Sequence, residues 1–282
     1  MEFVTAAGGA VSRIGQGTWY LGENPSAFAR ERAALRTGLD RGLNLIDTAE
    51  MYGEGAAEEL VGSAIQGYDR DKLYLVSKVY PWNAGRDRMF ACCEASLRRM
   101  RTDYLDLYLL HWRGGVPLAE TVDCMQELQH RGLIRRWGVS NLDVTDMEEL
   151  FRVTGGDTCG TDQVLYHLGS RGIEYRLLPL LQKRGIPVMA YCPLAQAGRL
   201  RRGLLSSPAV QDIAYAHGAT PSQVLLAFLL ARPGVVPIPR TGRAEHTAEN
   251  AEALTLTLTD AELAALDRAF PAPTRKVPLD MQ

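Results

Sequence analysis

One unit recurs along this 282-residue chain: a helical pattern, then Arg-Gly, then an apolar run. It appears at Arg41-Gly42 before Leu43, at Arg131-Gly132 before Leu133 and at Arg184-Gly185 before Ile186. Arg in a last helical turn suits the negative end of the helix dipole, and Gly takes the left-handed position just beyond it. The chain can then reverse into a strand. Apolar runs number eight: Ile14 to Trp19, Leu43 to Asp47, Lys72 to Lys78, Tyr104 to His111, Leu133 to Ser140, Asp162 to Tyr166, Ile186 to Tyr191 and Val235 to Pro239. Amphipathic stretches lie between them. Leu118, Val122, Met125 and Leu128 mark one apolar stripe, and Val224, Leu225, Phe228 and Leu229 another. Eight β/α units in a chain of this length predict an α/β fold, a (β/α)8 TIM barrel in one domain spanning 1–282. Phe3-Val4-Thr5 and Ala10-Val11-Ser12 read as a short N-terminal hairpin capping the end opposite the site.

Composition narrows the partners. The net charge is −2, which provides no field for nucleic acid or an anionic membrane. No apolar run approaches the roughly 20 residues that span a bilayer, and no basic, apolar leader opens the chain. Cys92, Cys93, Cys124, Cys159 and Cys192 show no C-x-x-C spacing, so free thiols in a reducing, cytoplasmic compartment are expected. The five histidines lack metal-ligand spacing, and no metal is expected. A small-molecule substrate and a monomer or weak homo-oligomer complete this expectation.

The strand ends carry the chemistry. In parallel α/β folds, ligands bind at the C-terminal ends of strands. Three runs end on Asp47, Lys78 and His111, and Tyr52 lies in the loop after Asp47. Ser140-Asn141, Gln163, Tyr191 and Arg240 stand at other ends. Singly, each has a plain explanation: Asp47 as a helix cap, His111 as a core histidine, Tyr52 as a rim aromatic. Lys78 closes a run that should be buried, and an unpaired buried ammonium is costly, so Asp47 is its expected partner. A free Tyr has a pKa near ~10. A Lys ammonium ~4 Å away would stabilise its phenolate by ~4 kcal/mol at an effective dielectric of ~20, or about three pKa units. Tyr52, tuned in this way beside a hydrogen-bonding His111, suits protonation of a developing alkoxide.

These residues resemble a known family. Gly42-Leu43-Asn44-Leu45-Ile46-Asp47-Thr48-Ala49-Glu50-Met51-Tyr52-Gly53, followed by Glu58 to Gly62, is similar to the N-terminal signature of the aldo/keto reductases. Tyr104 to Trp112, Gly138-Val139-Ser140-Asn141, Ala190 to Leu194 and Pro237 to Thr241 follow in that family's order. Val79 to Gly85 and Tyr166 to Tyr175 most resemble its bacterial methylglyoxal-reducing members. The resemblance implies a barrel that reduces aldehydes and ketones with NADPH. It implies a catalytic tetrad of Asp47, Tyr52, Lys78 and His111, with Tyr52 as acid and Lys78 lowering its pKa.

For the cofactor, the resemblance implies Gly17, Thr18, Trp19 and Asp47 near the reacting end. Ser140, Asn141 and Gln163 would hold the nicotinamide amide, and Tyr191 would stack on the ring. Pro193, Leu194 and Gln196 would line the pyrophosphate. Ile238 joins the cofactor set, and Glu249 and Asn250 match adenine positions. Arg240 stands where the family often has Lys, and His246 where it often has Arg. Arg240, Thr241 and Arg243 still offer two cations and a hydroxyl to a 2′-phosphate. The absence of G-x-G-x-x-G and of a P-loop fits a family that binds its dinucleotide without either. For the substrate, Trp19, Tyr52, Trp82, His111 and Trp112 are expected to line one pocket. A short tail after a last helix at Asp260 to Ala269 suggests an open site for small carbonyls, with methylglyoxal foremost. Two other readings stay open: a Schiff-base aldolase using Lys78, and a cofactor-sensing regulatory subunit with little turnover.

Overall fold

A computed structural model describes residues 8–196 and 198–282. Among them, eight parallel strands run in sequence order: β1 (Gln16–Gly17), β2 (Leu45–Asp47), β3 (Tyr74–Val79), β4 (Leu105–Leu110), β5 (Ile134–Ser140), β6 (Asp162–Leu165), β7 (Val188–Tyr191) and β8 (Val235–Pro237). The Gly15 and Gly17 amides donate to the Pro237 and Pro239 carbonyls at 2.9 and 3.0 Å. Gly17 also forms a parallel bridge with Arg240. First and last strands therefore meet, and the sheet closes into a (β/α)8 barrel.

Helices α1 (Phe28–Asp40), α2 (Ala56–Ala64), α3 (Met89–Met100), α4 (Leu118–His130), α5 (Val144–Leu150) and α6 (Leu177–Lys183) follow β1 to β6 in turn. After β7 come α7 (Gly198–Leu205), α8 (Pro208–His217) and α9 (Pro221–Leu230). After β8 come α10 (Ala244–Glu252) and α11 (Asp260–Ala269).

The Arg-Gly units end helices as their chemistry predicts. Gly42, Gly132 and Gly185 hold φ of 84°, 74° and 67°. In each, the glycine amide and the next apolar residue's amide bond back to the last helical turn. For α4, these are Gly132 to the Gln129 carbonyl at 3.0 Å and Leu133 to the Leu128 carbonyl at 3.1 Å. The carbonyls that a helix end leaves orphaned are thus satisfied, and the chain turns directly into β5.

Strand alternation sorts the side chains. Leu45, Tyr74, Val76, Leu107, Leu109, Met189 and Ile238 form one buried cluster, the packed interior of the barrel. One period of two further along the same faces stand Asp47, Lys78, His111 and Tyr191. The apolar layers thus end in a polar layer at the C-terminal rim. Residues of opposite parity, such as Ile46, Tyr108 and Ala190, pack into the larger cluster beneath the helices.

Two expectations are revised, and a third lies partly outside the described residues. Strand β1 is shorter than Ile14 to Trp19, because the barrel pinches it between neighbours. A Cβ on Gly15 would stand 2.4 Å from Leu45 Cδ2, and one on Gly17 2.9 Å from the Ile238 carbonyl oxygen. Helix α9 has no polar face: every residue from Gln223 to Leu230 is buried, since Leu226 and Leu230 pack toward Ile14 and Leu43. Of the predicted hairpin, Phe3-Val4-Thr5 lies outside the described residues. Its second half does sit at the N-terminal end of the barrel, where the Ser12 amide donates to Asn44 Oδ1 at 2.8 Å.

Candidate active site

The C-terminal rim brings four polar residues together. Lys78 is fully buried, and all three of its ammonium protons are taken: by Asp47 Oδ2 at 2.9 Å, the Thr48 carbonyl at 2.8 Å and Tyr52 Oη at 3.0 Å. The Asp47 partnership expected of a buried lysine is therefore present. Asp47 Oδ1 accepts from Gln163 Nε2 at 2.7 Å, so β2, β3 and β6 meet through one carboxylate. Tyr52 reaches the cluster from a short turn, Tyr52–Gly55, before α2. The His111 ring lies edge-on to the Tyr52 ring, with centroids 5.7 Å apart.

The electrostatics differ from expectation at one point. Lys78 was to bring the Tyr52 phenol down toward neutrality. Instead burial, then the Asp47 charge, then Cys192 push it well above its ordinary value. The physical reason is that both members of the pair lie in low dielectric. Burial also lowers the Lys78 ammonium, which Asp47 foremost and then Glu58 oppose. Tyr52 is thus a neutral phenol. Because Lys78 donates to its oxygen, its own proton is free to be given elsewhere. Burial, reinforced by Lys78, holds His111 well below its ordinary value, so the imidazole is neutral.

A cleft of about 370 Å³ opens above this cluster. Its inner part is lined by Gly17, Thr18, Trp19, Asp47, Tyr52, His111, Ser140, Asn141, Gln163 and Tyr191. Its outer part is lined by Pro193, Leu194, Gln196, Ile238, Arg240, Thr241, Arg243 and His246. Ser140 Oγ donates to the Gln163 carbonyl at 2.8 Å, and Tyr191 Oη to Asn141 Oδ1 at 2.9 Å. Asn141, at φ 60°, donates from Nδ2 to the His111 carbonyl at 3.2 Å. These bonds tie the ends of β5, β6 and β7 to the residue after β4.

Four predicted residues lie elsewhere. Trp82 and Trp112 do not line the cleft. Trp82 is 57% exposed, stacks on Tyr80 at 4.4 Å and meets Trp112 at 5.7 Å; Trp112 in turn lies 4.8 Å from the His111 ring. They form an aromatic group beside the mouth. Glu249 and Asn250 sit further along α10 than His246, outside the lining.

The cleft also holds residues the sequence did not single out, among them Tyr20, Arg30, Glu31, Cys192, Arg201 and Gln282. Tyr20 stacks on Trp19 at 4.6 Å; two adjacent aromatics after a strand end were the available signal. Gln282 had no signal in the sequence. The tail returns over the rim, where Ser170 Oγ donates to Asp280 Oδ2 at 2.5 Å and Lys276 pairs with Asp143 at 2.9 Å. Among the described residues, no three His, Cys, Asp or Glu side chains gather as a metal site, and no single helix is long and apolar enough to cross a membrane.

Residues 13–270 match the aldo/keto reductase family. The chain belongs to that family. This aldo/keto reductase is 58% identical to the methylglyoxal reductase YeaE of Escherichia coli (strain K12), over 95% of this chain and 94% of that protein. It is 32% identical to the glyoxal reductase of Bacillus subtilis (strain 168), over 83% and 81% of the two chains. Its fold superposes on an aldo-keto reductase from Klebsiella pneumoniae in complex with NADPH, with a TM-score of 0.96. That pair shares 56% identity over 100% of this chain and 99% of the other.

The donor set of this aldo/keto reductase suits a dinucleotide phosphate. At the inner end, Gln163 uses its Nε2 on Asp47, and no described residue donates to its Oε1. That acceptor and the Tyr191 ring suit a carboxamide on a flat heterocycle. At the outer end, Arg240, Thr241, Arg243 and His246 line the cleft together, a set that suits a terminal phosphate.

Proposed function

We propose that this chain is an NADPH-dependent carbonyl reductase of small aldehydes, ketones and dicarbonyls, with methylglyoxal foremost. One observation carries the reading: Lys78 Nζ stands 3.0 Å from Tyr52 Oη, and the Asp47 carboxylate stands 2.9 Å behind it, on the floor of the cleft. The names of the relatives support the substrate class, and the Klebsiella complex supports the cofactor.

When bound, NADPH would supply the hydride for the carbonyl carbon. Gly17, Thr18, Ser140, Asn141, Gln163 and Tyr191 would hold its nicotinamide end, and Arg240, Thr241, Arg243 and His246 its 2′-phosphate. His111, neutral and beside Tyr52, hydrogen-bonds the substrate oxygen and orients it. Tyr52 gives its Oη proton to that oxygen as it gains charge, leaving an alcohol. The Lys78 ammonium, already donating to Oη, stabilises the phenolate left behind, and Asp47 keeps Lys78 charged and in place. The aldolase alternative fares badly here. An amine nucleophile needs a free lone pair, and Lys78 is fully buried with every proton engaged.

We read residues 1–282 as one catalytic domain, since strands throughout the barrel contribute to the cleft. Free thiols at all five cysteines support a cytoplasmic setting.

The test is NADPH oxidation across a panel of small carbonyls including methylglyoxal, with Tyr52→Phe as control. Tyr52→Phe should lower kcat by about a hundredfold or more, while NADPH affinity, read by fluorescence, stays within about twofold. Unchanged turnover in that variant would overturn the mechanism.

A further inference from the structure

Behind β3 lies a second charged group that the chemistry above does not use. Lys78 faces the barrel interior, and its neighbour Ser77 faces the helices. Ser77 Oγ donates to Glu58 Oε1 at 2.5 Å. Glu58, on α2, is fully buried, and its other oxygen accepts from Arg99 Nε on α3 at 2.6 Å. Arg99 also donates to Ser96 Oγ at 3.3 Å. Its side chain lies against Gly55, where a Cβ would stand 2.5 Å from both Arg99 Cδ and Nε. Gly55 closes the turn that Tyr52 opens. Gly53, Glu54 and Gly55 in succession hold φ of 57°, 53° and 97°. Glu54 carries a side chain in that left-handed region, so the turn is strained and needs outside support.

We propose that Glu58 and Arg99 are positioning residues for proton transfer: their ion pair locks the Tyr52 turn onto β3 and places a second carboxylate behind the Lys78 ammonium. This rests on the reading of Tyr52 and Lys78 given above. Four titratable or charged groups bear on Lys78: Asp47 from β2, Tyr52 from the turn, His111 beyond β4 and Glu58 from α2. Around Glu58 stand Arg99 and Cys93 from α3 and Tyr108 from β4. Burial pushes the Cys93 thiol up to about 12 and the Tyr108 phenol well above its ordinary value, so both stay neutral. Arg99 is then the cation that balances Glu58, and Lys78 is the next one inward.

The charge and geometric roles separate experimentally. Glu58→Gln keeps the volume and removes the charge; Arg99→Lys keeps a cation and loses the planar contact under Gly55. The chain has only four lysines, Lys72, Lys78, Lys183 and Lys276, so 13Cε-lysine NMR can follow Lys78 without cofactor. In Glu58→Gln, the Lys78 pKa should fall by about one unit, and the alkaline limb of kcat should move to lower pH with it. In both variants, kcat should fall about tenfold or more with NADPH affinity within about twofold, and Glu58→Asp should recover part of the loss. The proposal is overturned if Glu58→Gln keeps the wild-type kcat, pH profile and Lys78 titration. It is equally overturned if kcat and NADPH affinity fall together with melting temperature while the alkaline limb stays in place, because that is the signature of a purely structural pair. Tyr52→Phe in the same series tells this failure from the larger one. If Tyr52→Phe still turns over, both readings fall; if it is inactive and Glu58→Gln is wild type, only this one does.

Discussion

At the scale of single residues, burial decides what each ionisable group is. Asp162 shows this away from the proton-transfer cluster. It precedes Gln163 on β6, is fully buried, and neither carboxylate oxygen has a hydrogen-bond partner in bonding geometry. Burial pushes its carboxyl well above the ordinary range; the nearby Leu142 amide offsets this only in part, and the Asp143 and Asp146 charges add to it. Asp162 therefore keeps its proton to higher pH in the native state than in the unfolded chain. Its stability is present below the unfolded value of about 3.9 and is lost as pH rises toward the native one. Asp162→Asn should thus stabilise the protein by about 1–3 kcal/mol at pH ~8, a few degrees in Tm, with the gain gone at pH ~4. Thermal melts at the two pH values check this, and an equal gain at both would disprove it. Lys78 and Glu58 mark how far single residues were legible. A lysine ending a buried apolar run demands a partner, so Asp47 could be named from sequence. Glu58 was legible only as part of the family signature; its burial shows only where α2 packs against β3 and α3.

At the scale of elements, local chemistry was the legible part. The Arg-Gly caps and the last helix at Asp260–Ala269 lie where their patterns predict, because caps and helix periodicity act within a few residues. Strand β1 and helix α9 departed from their patterns because tertiary crowding governs them. Two glycines separate these causes. Gly132 holds φ 74° with nothing within 4 Å of a Cβ, so its requirement is conformational alone. Gly22 holds φ 80°, and a Cβ there would stand 2.5 Å from the Ala56 carbonyl oxygen. The Gly22 amide also donates to Glu31 Oε2 at 2.8 Å, which anchors the loop bearing Trp19 and Tyr20. Gly132→Ala should cost about 1 kcal/mol and leave turnover unchanged. Gly22→Ala should cost more and weaken NADPH affinity too, because it displaces a loop that lines the cleft. Urea unfolding and NADPH titration of the two variants test this; equal losses in both would show that crowding at Gly22 is relieved at no cost.

At the scale of the whole molecule, closure of the barrel makes one site from distant segments. The Gly17–Arg240 bridge joins the first strand to the segment after the last. From sequence it followed only by counting eight units, and the returning tail with Gln282 did not follow at all, since no periodic pattern marks it. The cleft draws its inner polar groups from β1, β2, β5, β6 and β7 and its outer cations, Arg240 and Arg243, from the segment between β8 and α10. A dinucleotide seated along it would therefore clasp elements that otherwise touch only through the barrel, and binding should stabilise the entire fold. At 100 times its Kd, NADPH should add about 2.7 kcal/mol, or about 5–10 °C in Tm at roughly 2–4 °C per kcal/mol. The proposed seating of the 2′-phosphate at Arg240 and Arg243 ties the preference to that group. NADH at the same concentration should shift Tm less, and added salt should narrow the gap, because exposed charges are screened within about 10 Å at 0.1 M. Arg243→Gln should bring the two shifts closer by lowering only that of NADPH. Equal shifts by NADPH and NADH in the unmodified protein at low salt would remove the role assigned to these cations, while leaving the proton-transfer cluster at the other end of the cleft untouched.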